Sequence, residues 1–154
     1  MLGYSKILCA IDFDEYAIAT LRVAAALAKE SNALLYILHV TRIPSRDMDV
    51  PLPIEANPIW EKVARGRLEE LIEQCPLADL GYETRIVSGL PDLDIVRTAK
   101  ELAVDLIVMA THGRSGLTHL LLSSVAEHVI REAACPILIL RPPLKGGTTT
   151  SPTS

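Results

Sequence analysis

Five short runs of β-branched and aliphatic residues alternate along this chain with segments whose apolar residues recur at helical spacing. The apolar runs predict five strands, at residues 6–12, 33–40, 82–88, 105–111 and 136–141. The segments between them predict four helices, at residues 15–31, 55–74, 93–103 and 124–134. Because one helix fills each crossover, the pattern favours right-handed βαβ units. The expected architecture is therefore an α/β fold in which helices sandwich an open parallel sheet.

A length of 154 residues suits a single domain of this class. We expect the domain to span residues 1–142. A disordered tail rich in Gly, Thr, Ser and Pro is expected to follow at residues 143–154. A Pro-rich stretch at residues 41–53 predicts a long connection, which is either a contact segment or an ordinary surface loop.

Charge and composition exclude several classes of protein. Fifteen Lys and Arg against nineteen Asp and Glu give a net charge of −4, which leaves no broad basic face for nucleic acid or an anionic membrane. No apolar run approaches the roughly 20 residues of a membrane-spanning helix, so we expect a cytoplasmic protein. Cys9, Cys75 and Cys135 form no C-x-x-C pair and the histidines lack metal-ligand spacing. Neither a disulfide framework nor a metal site is therefore expected.

The turn after the fourth strand has the clearest functional pattern. Gly113 and Gly116 allow the backbone to approach a ligand closely and to expose its N–H groups. Arg114 adds a cation beside them, and His112 can reach a phosphate or simply lie on the surface. The same glycine spacing also occurs in ordinary tight turns, so both interpretations stay open.

The last helix begins at a pair of serines that can serve the same ligand. Ser123 or Ser124 can cap the helix, and Ser124 with Glu127 has the spacing of a capping box. Exposed amides at a helix N-terminus form an anion site. The turn and the helix start can together cradle a phosphate chain, although a well-capped helix explains the serines equally well.

Asp12 is the second candidate, because it ends the first predicted strand. Open α/β sheets bind ligands beyond the carboxyl ends of their strands, and a carboxylate there can accept hydrogen bonds from ribose hydroxyls. Asp12 can instead cap the following helix, with Glu15 completing a capping box or Asp14 acting as an alternative cap. The pattern leaves the two roles open.

Two enzyme or signalling classes lack the residues they need. A phosphoacceptor receiver domain, which Asp12 and its neighbours superficially resemble, requires an Asp after the third strand and a Lys after the fifth. Ser88 and Arg141 stand there instead. A nucleotide-cleaving ligase requires an S-G-G-x-D-S loop after the first strand, and the chain has none. No activated nucleophile is paired with a base, so no catalytic residue is assigned and hydrolysis is expected to be slow at most.

Five segments of the chain resemble a known family: KILCAIDFDEYA, LLYILHV, DLIVMATHGRSG, SSVAEHVI and PILILR. In order and spacing they resemble the universal stress protein family over residues 5–141. The resemblance implies a Rossmann-like fold of the adenine nucleotide α-hydrolase type. Its five-stranded parallel sheet would have the order 3-2-1-4-5, with four flanking helices.

One branch of that family binds ATP through a G-x2-G-x9-G motif followed by Ser or Thr. On this chain the motif falls on Ala110, Gly113, Ser123 and Ser124, so Ala and Ser replace the first and third glycines. A Cβ at Ser123 could crowd the phosphates, although a residue at a helix start need not adopt a positive φ. Ser123 is therefore the residue that favours the nucleotide-independent branch of the family as the alternative.

The resemblance implies an ATP site, with Mg²⁺ carried by the nucleotide. Asp12 would meet the ribose and adenine region, while Ala10 and Val40 would line the base. The residues that would surround the phosphates are Gly113, Arg114, Gly116, Ser123, Ser124 and Val125. Gly89, after the third strand, would line the same crevice.

The fifth predicted strand implies a partner. In the implied order it is an edge strand from Pro136 to Arg141, and its sequence is apolar on both faces. Such an edge pairs with another chain unless it is covered, and the family often pairs this strand across a two-fold axis. We therefore expect a homodimer formed through this strand.

Overall fold

The computed structural model describes residues 3–42, 58–111 and 123–141. Within them strands and helices alternate as the sequence predicts. The strands are β1 (Lys6–Ala10), β2 (Leu34–Arg42), β3 (Tyr82–Gly89), β4 (Leu106–Ala110) and β5 (Ile137–Leu140). The helices are α1 (Ala17–Ser31), α2 (Pro58–Glu73), α3 (Pro91–Leu102) and α4 (Ser124–Glu132). All strand pairs are parallel and the sheet order is β3-β2-β1-β4-β5, which confirms the expected fold.

Side chains of the central strands alternate between two apolar layers. Ile7 and Cys9 of β1 pack on one side with α1 and α2, whereas Leu8 packs on the other side with α3 and α4. All three are fully buried, as expected for a strand covered on both faces. Helices thus cover both faces of the sheet and leave its strand ends open.

The buried face of helix α1 consists mostly of small residues. Ala17, Ala24, Ala25 and Ala28 are all buried on that face. The helix ends at Asn32, whose φ of 55° is left-handed and lets its N–H reach the last carbonyls.

Strand β2 is longer than the sequence predicts. It continues to Arg42 and so includes the first two residues of the expected 41–53 connection. The reason is non-local, because β3 pairs with β2 along its whole length, up to Arg42 beside Gly89. The rest of that connection and the expected tail at 143–154 lie outside the described residues.

The helix starts also differ from the predicted ones. Helix α1 begins at Ala17 instead of residue 15, because the Asp14 carboxylate accepts the Tyr16 N–H at 2.8 Å and holds the preceding turn. Helix α3 begins at Pro91 instead of residue 93, with proline in the first turn, where its missing N–H costs nothing.

Candidate functional site

A crevice opens where the carboxyl ends of β1, β2 and β4 meet the starts of α1, α3 and α4. Parallel strands bring their carboxyl ends to one edge of the sheet, so residues distant in sequence converge there. Six residues that the sequence singled out line this crevice: Ala10, Asp12, Val40, Ala110, Ser123 and Val125. Ser124 is exposed at the first position of α4 and does not line it.

Four predicted phosphate-contacting residues lie outside the described residues: His112, Gly113, Arg114 and Gly116. Sequence reasoning missed several residues that do line the crevice: Arg42, Pro91, Ile95 and Met109. The sequence predicts a loop from residue 41 onward and so gives no reason to place Arg42 at the site. Pro91 lies two residues before the predicted start of the third helix, although a proline followed by acidic residues is a usable start signal.

Asp12 lies in the turn after β1, which ends at Ala10. Its carboxylate accepts the N–H of the adjacent Phe13 at 3.1 Å, and its side chain is exposed. Since α1 begins at Ala17 with Tyr16 as its N-cap residue, Asp12 does not cap this helix, and of the two roles left open by the sequence the capping role is wrong. The carboxylate is instead presented to the crevice.

A buried histidine fixes the turn that contains Asp12. His39 of β2 is hydrogen-bonded through Nδ1 to the Ile11 carbonyl oxygen at 2.8 Å, so Nδ1 carries the proton and donates. The Phe13 ring lies 4.2 Å from the imidazole, and the Arg67 guanidinium lies 4.6 Å from the centre of the Phe13 ring. Burial lowers the pKa of His39, which the Ile11 carbonyl and the Asp12 charge oppose. His39 is therefore neutral, and its hydrogen bond to Ile11 holds the turn that contains Asp12 in place.

The start of α4 shows how the chain accommodates Ser123 in place of a glycine. Ser123 has φ −60° and ψ 154°, which any L-residue adopts without strain. Its Oγ accepts the Ala126 N–H at 3.1 Å, so Ser123 is the helix cap. Of the two serines that the sequence offers as caps, Ser123 is therefore the one observed, and the spacing of Ser124 with Glu127 does not form a capping box because Ser124 is already inside the helix.

The start of α3 is held by a buried carboxylate. Asp94 is 5% exposed and accepts the Leu90 N–H at 2.8 Å, with Arg97 as its ion-pair partner. Pro91 and Ile95, on either side of Asp94 in sequence, line the crevice. Gly89 is buried beside Asp94 and is not among the lining residues, so the expectation that it lines the crevice is wrong.

Among the described residues, the charged side chains that line the crevice are those of Asp12, Asp14 and Arg42. Across residues 3–42, 58–111 and 123–141 no group of three or more His, Cys, Asp or Glu side chains is arranged to hold a metal ion. In the same ranges no helix combines the length and apolar character needed to cross a membrane.

Comparison with known proteins gives a consistent result. The model of the Universal stress protein family matches residues 3–141. Universal stress protein MJ0531 of Methanocaldococcus jannaschii is 34% identical over 149 residues, which cover 92% of this chain and 85% of that protein.

Solved structures share the fold over nearly the whole chain. MJ0577 of the same archaeon superposes with a TM-score of 0.72 at 26% identity, covering 92% of this chain and 98% of that one. A universal stress protein in complex with cAMP superposes with a TM-score of 0.63 at 25% identity, covering 90% of this chain and 97% of the other.

Proposed function

The chain belongs to the universal stress protein family, and on that premise we propose that it binds an adenine nucleotide in the crevice. The proposed ligand is ATP, with Mg²⁺ carried by its phosphates. The observation that carries the proposal is the convergence of Asp12 and Val40 with Ser123 and Val125 in one crevice. The solved relative in complex with cAMP supports an adenine nucleotide as the ligand class.

The residues present fit such a ligand. Leu38 and Val40 offer an apolar wall for a base, and the Asp12 carboxylate offers an acceptor for ribose hydroxyls. Ser123 adopts its conformation without strain and turns its Oγ to Ala126, so the loss of the motif glycine does not distort the helix start. The amides of the first turn of α4 suit a phosphate.

The protein is proposed to act in the stress response as a regulatory homodimer, with slow ATP turnover at most. Strand β5 is one of the two outer strands of the described sheet, and Leu138 on it is 37% exposed. An apolar outer strand pairs readily with a second copy. The free thiols of Cys9, Cys75 and Cys135 suit a cytoplasmic location.

Calorimetric titration of the purified protein with Mg-ATP tests nucleotide binding. Asp12→Asn should weaken binding about tenfold, because a hydrogen bond to a charged acceptor contributes about 1.5–3 kcal/mol. Asp79→Asn is the matched control, since Asp79 lies in the turn before β3, at the opposite edge of the sheet. Gly113→Val tests whether the phosphates lie at the glycine turn.

Failure to bind would favour the other branch of the family. If the titration gives no heat and the denatured protein releases no nucleotide, the chain is a nucleotide-independent interaction protein. If the protein does bind Mg-ATP, parallel titrations with ADP and AMP measure how much each phosphate contributes to the affinity.

A further inference from the structure

Arg42 lines the crevice from a position that strand pairing fixes. The β1–β2 ladder ends at Ala10 beside Leu38, whereas the β2–β3 ladder runs on to Arg42 beside Gly89. Four residues of β2, from 39 to 42, therefore extend past the last β1 pair. At about 3.3 Å per residue, the end of β2 rises roughly 13 Å above that pair.

Alternation along this extension puts Arg42 on the crevice face. Leu38, Val40 and Arg42 all line the crevice, as residues two apart on a strand share a face. His39 lies on the other face, where it packs against Phe13. The Arg42 side chain therefore emerges beyond Val40, over the same wall.

The Arg42 side chain forms no ion pair or hydrogen bond with any residue of the described ranges 3–42, 58–111 and 123–141, although its backbone pairs with β3. Other arginines there are engaged: Arg65 pairs with Glu61, Arg97 pairs with Asp94, and Arg67 lies over Phe13. The Arg42 guanidinium thus has no partner among the described residues, and the exposed side chain lies at the crevice.

The two flanks of the crevice differ in chemistry. Ser123 and Val125 lie at the flank formed by α4, next to β4, and Arg42 lies at the β2 flank, with β1 between them. Neighbouring strands are about 4.8 Å apart, so the β2 and β4 ends are separated by about 10 Å. Helix amides suit the phosphates of a nucleotide, which leaves the apolar β2 flank for its base.

We infer that Arg42 is a specificity-determining residue that stacks its guanidinium plane on the base of the bound nucleotide. A guanidinium stacks on aromatic faces and keeps its in-plane N–H groups free for acceptors on a base edge. The inference rests on the nucleotide binding proposed above, and it assigns the base to the Val40 and Arg42 flank.

The test compares ligands that share a base but differ in phosphate number. Wild-type protein, Arg42→Gln and Arg85→Gln are each titrated with adenosine, AMP and Mg-ATP. Arg42→Gln should weaken all three by a similar factor of about tenfold, as expected for loss of a desolvated cation–π contact. Arg85→Gln removes the same charge from β3, outside the crevice, and should leave all three affinities unchanged.

A second variant separates the planar group from its charge. Arg42→Lys keeps the charge, and should still lose most of the affinity that Arg42→Gln loses, because an ammonium cannot stack as a plane. Full recovery by lysine would overturn the inference, as would a loss that grows with the number of phosphates or no loss at all.

The outcome also separates this inference from the proposed function. If wild-type protein binds none of the three ligands, nucleotide binding itself fails and Arg42 has no base to contact. If wild-type protein binds them and Arg42→Gln binds equally well, only the inference fails. Unfolding midpoints of the three variants, measured alongside, show that each is folded.

Discussion

The Asp94 carboxylate occupies the space that a side chain at Gly89 would need. A Cβ built on Gly89 would overlap Asp94 Oδ2, and the same oxygen accepts the Leu90 N–H at 2.8 Å. Because Gly89 has no side chain, α3 can begin directly after β3. The buried Asp94 carboxylate of α3 then points back to the end of the strand. The glycine is required for close approach and not for an unusual backbone conformation.

Gly89→Ala should accordingly lower the free energy of unfolding by about 1–3 kcal/mol, the usual cost of overpacking. Gly66→Ala is the matched control, because Gly66 lies within α2 and an added Cβ there meets nothing within 4 Å. That control should stabilise the protein by about 0.5–1 kcal/mol, since alanine favours a helix. Denaturant unfolding measures both.

A double-mutant cycle identifies the cause. In an Asp94→Ala background the added methyl at residue 89 has room, so Gly89→Ala should cost much less than in the wild-type protein. Equal costs in both backgrounds would show that the overlap with Asp94 is not the source of the destabilisation.

The cap of α4 gives a second prediction, in which two substitutions at one residue differ. Ser123→Ala removes the acceptor for the Ala126 N–H and should lower the free energy of unfolding by about 1 kcal/mol. Ser123→Gly should cost only a few tenths of a kcal/mol, since glycine is itself a good N-cap residue. Denaturant unfolding of the two variants checks the order, and a larger loss for glycine would contradict the assigned cap.

Acid should destabilise the protein through His39. Burial lowers the pKa of this residue below its ordinary value of 6.5, so the unfolded chain takes up a proton before the folded chain does. Stability is therefore fully present above that ordinary pKa and is lost as the pH falls through it, by at most about 1.4 kcal/mol per pH unit. His39→Gln should flatten the pH dependence between pH 7.5 and 5. An unchanged slope would mean that another group is responsible.

The proposed dimer can be tested at a single exposed residue. Leu138→Lys places a charge on the outer strand β5, where Leu138 is 37% exposed, and should convert the dimer to monomer in sedimentation velocity. Leu93→Lys makes the same change on α3, where Leu93 is 50% exposed, and should not alter the sedimentation coefficient. A dimer that persists in Leu138→Lys would exclude this strand as the interface.

The sequence predicts β1, β2, β4 and β5 well because their apolar runs are short, bounded and strongly hydrophobic, and it predicts β3 from alternating polar and apolar residues. It does not predict the end of β2, because Thr41 and Arg42 are polar and precede a Pro-rich stretch. Those two residues become strand only because β3 offers them a partner. The partners in β3 lie 47 residues further along the chain, so the pairing leaves no local signal in the sequence.

In the candidate site, too, residues with a local sequence signal are predicted, and residues whose position depends on distant contacts are not. Asp12, Val40 and Ser123 follow from strand ends, a helix start and a family motif, so the sequence could single them out. Whether Asp12 caps a helix depends on where α1 begins, and the Asp14 contact with the Tyr16 N–H decides that. Arg42 could not be found, because its place at the crevice depends on the extra length of β2.

Gly89, the last residue of β3, contacts both the end of β2 and the start of α3. It pairs with Arg42 across the ladder and accommodates the carboxylate that holds Leu90. Opening the first turn of α3 would therefore free the end of β3 and, with it, the pairing of Arg42. We expect these segments to exchange their amide hydrogens as one cooperative unit. A ligand seated against Arg42 would then slow exchange in α3 as well, at amides it never touches.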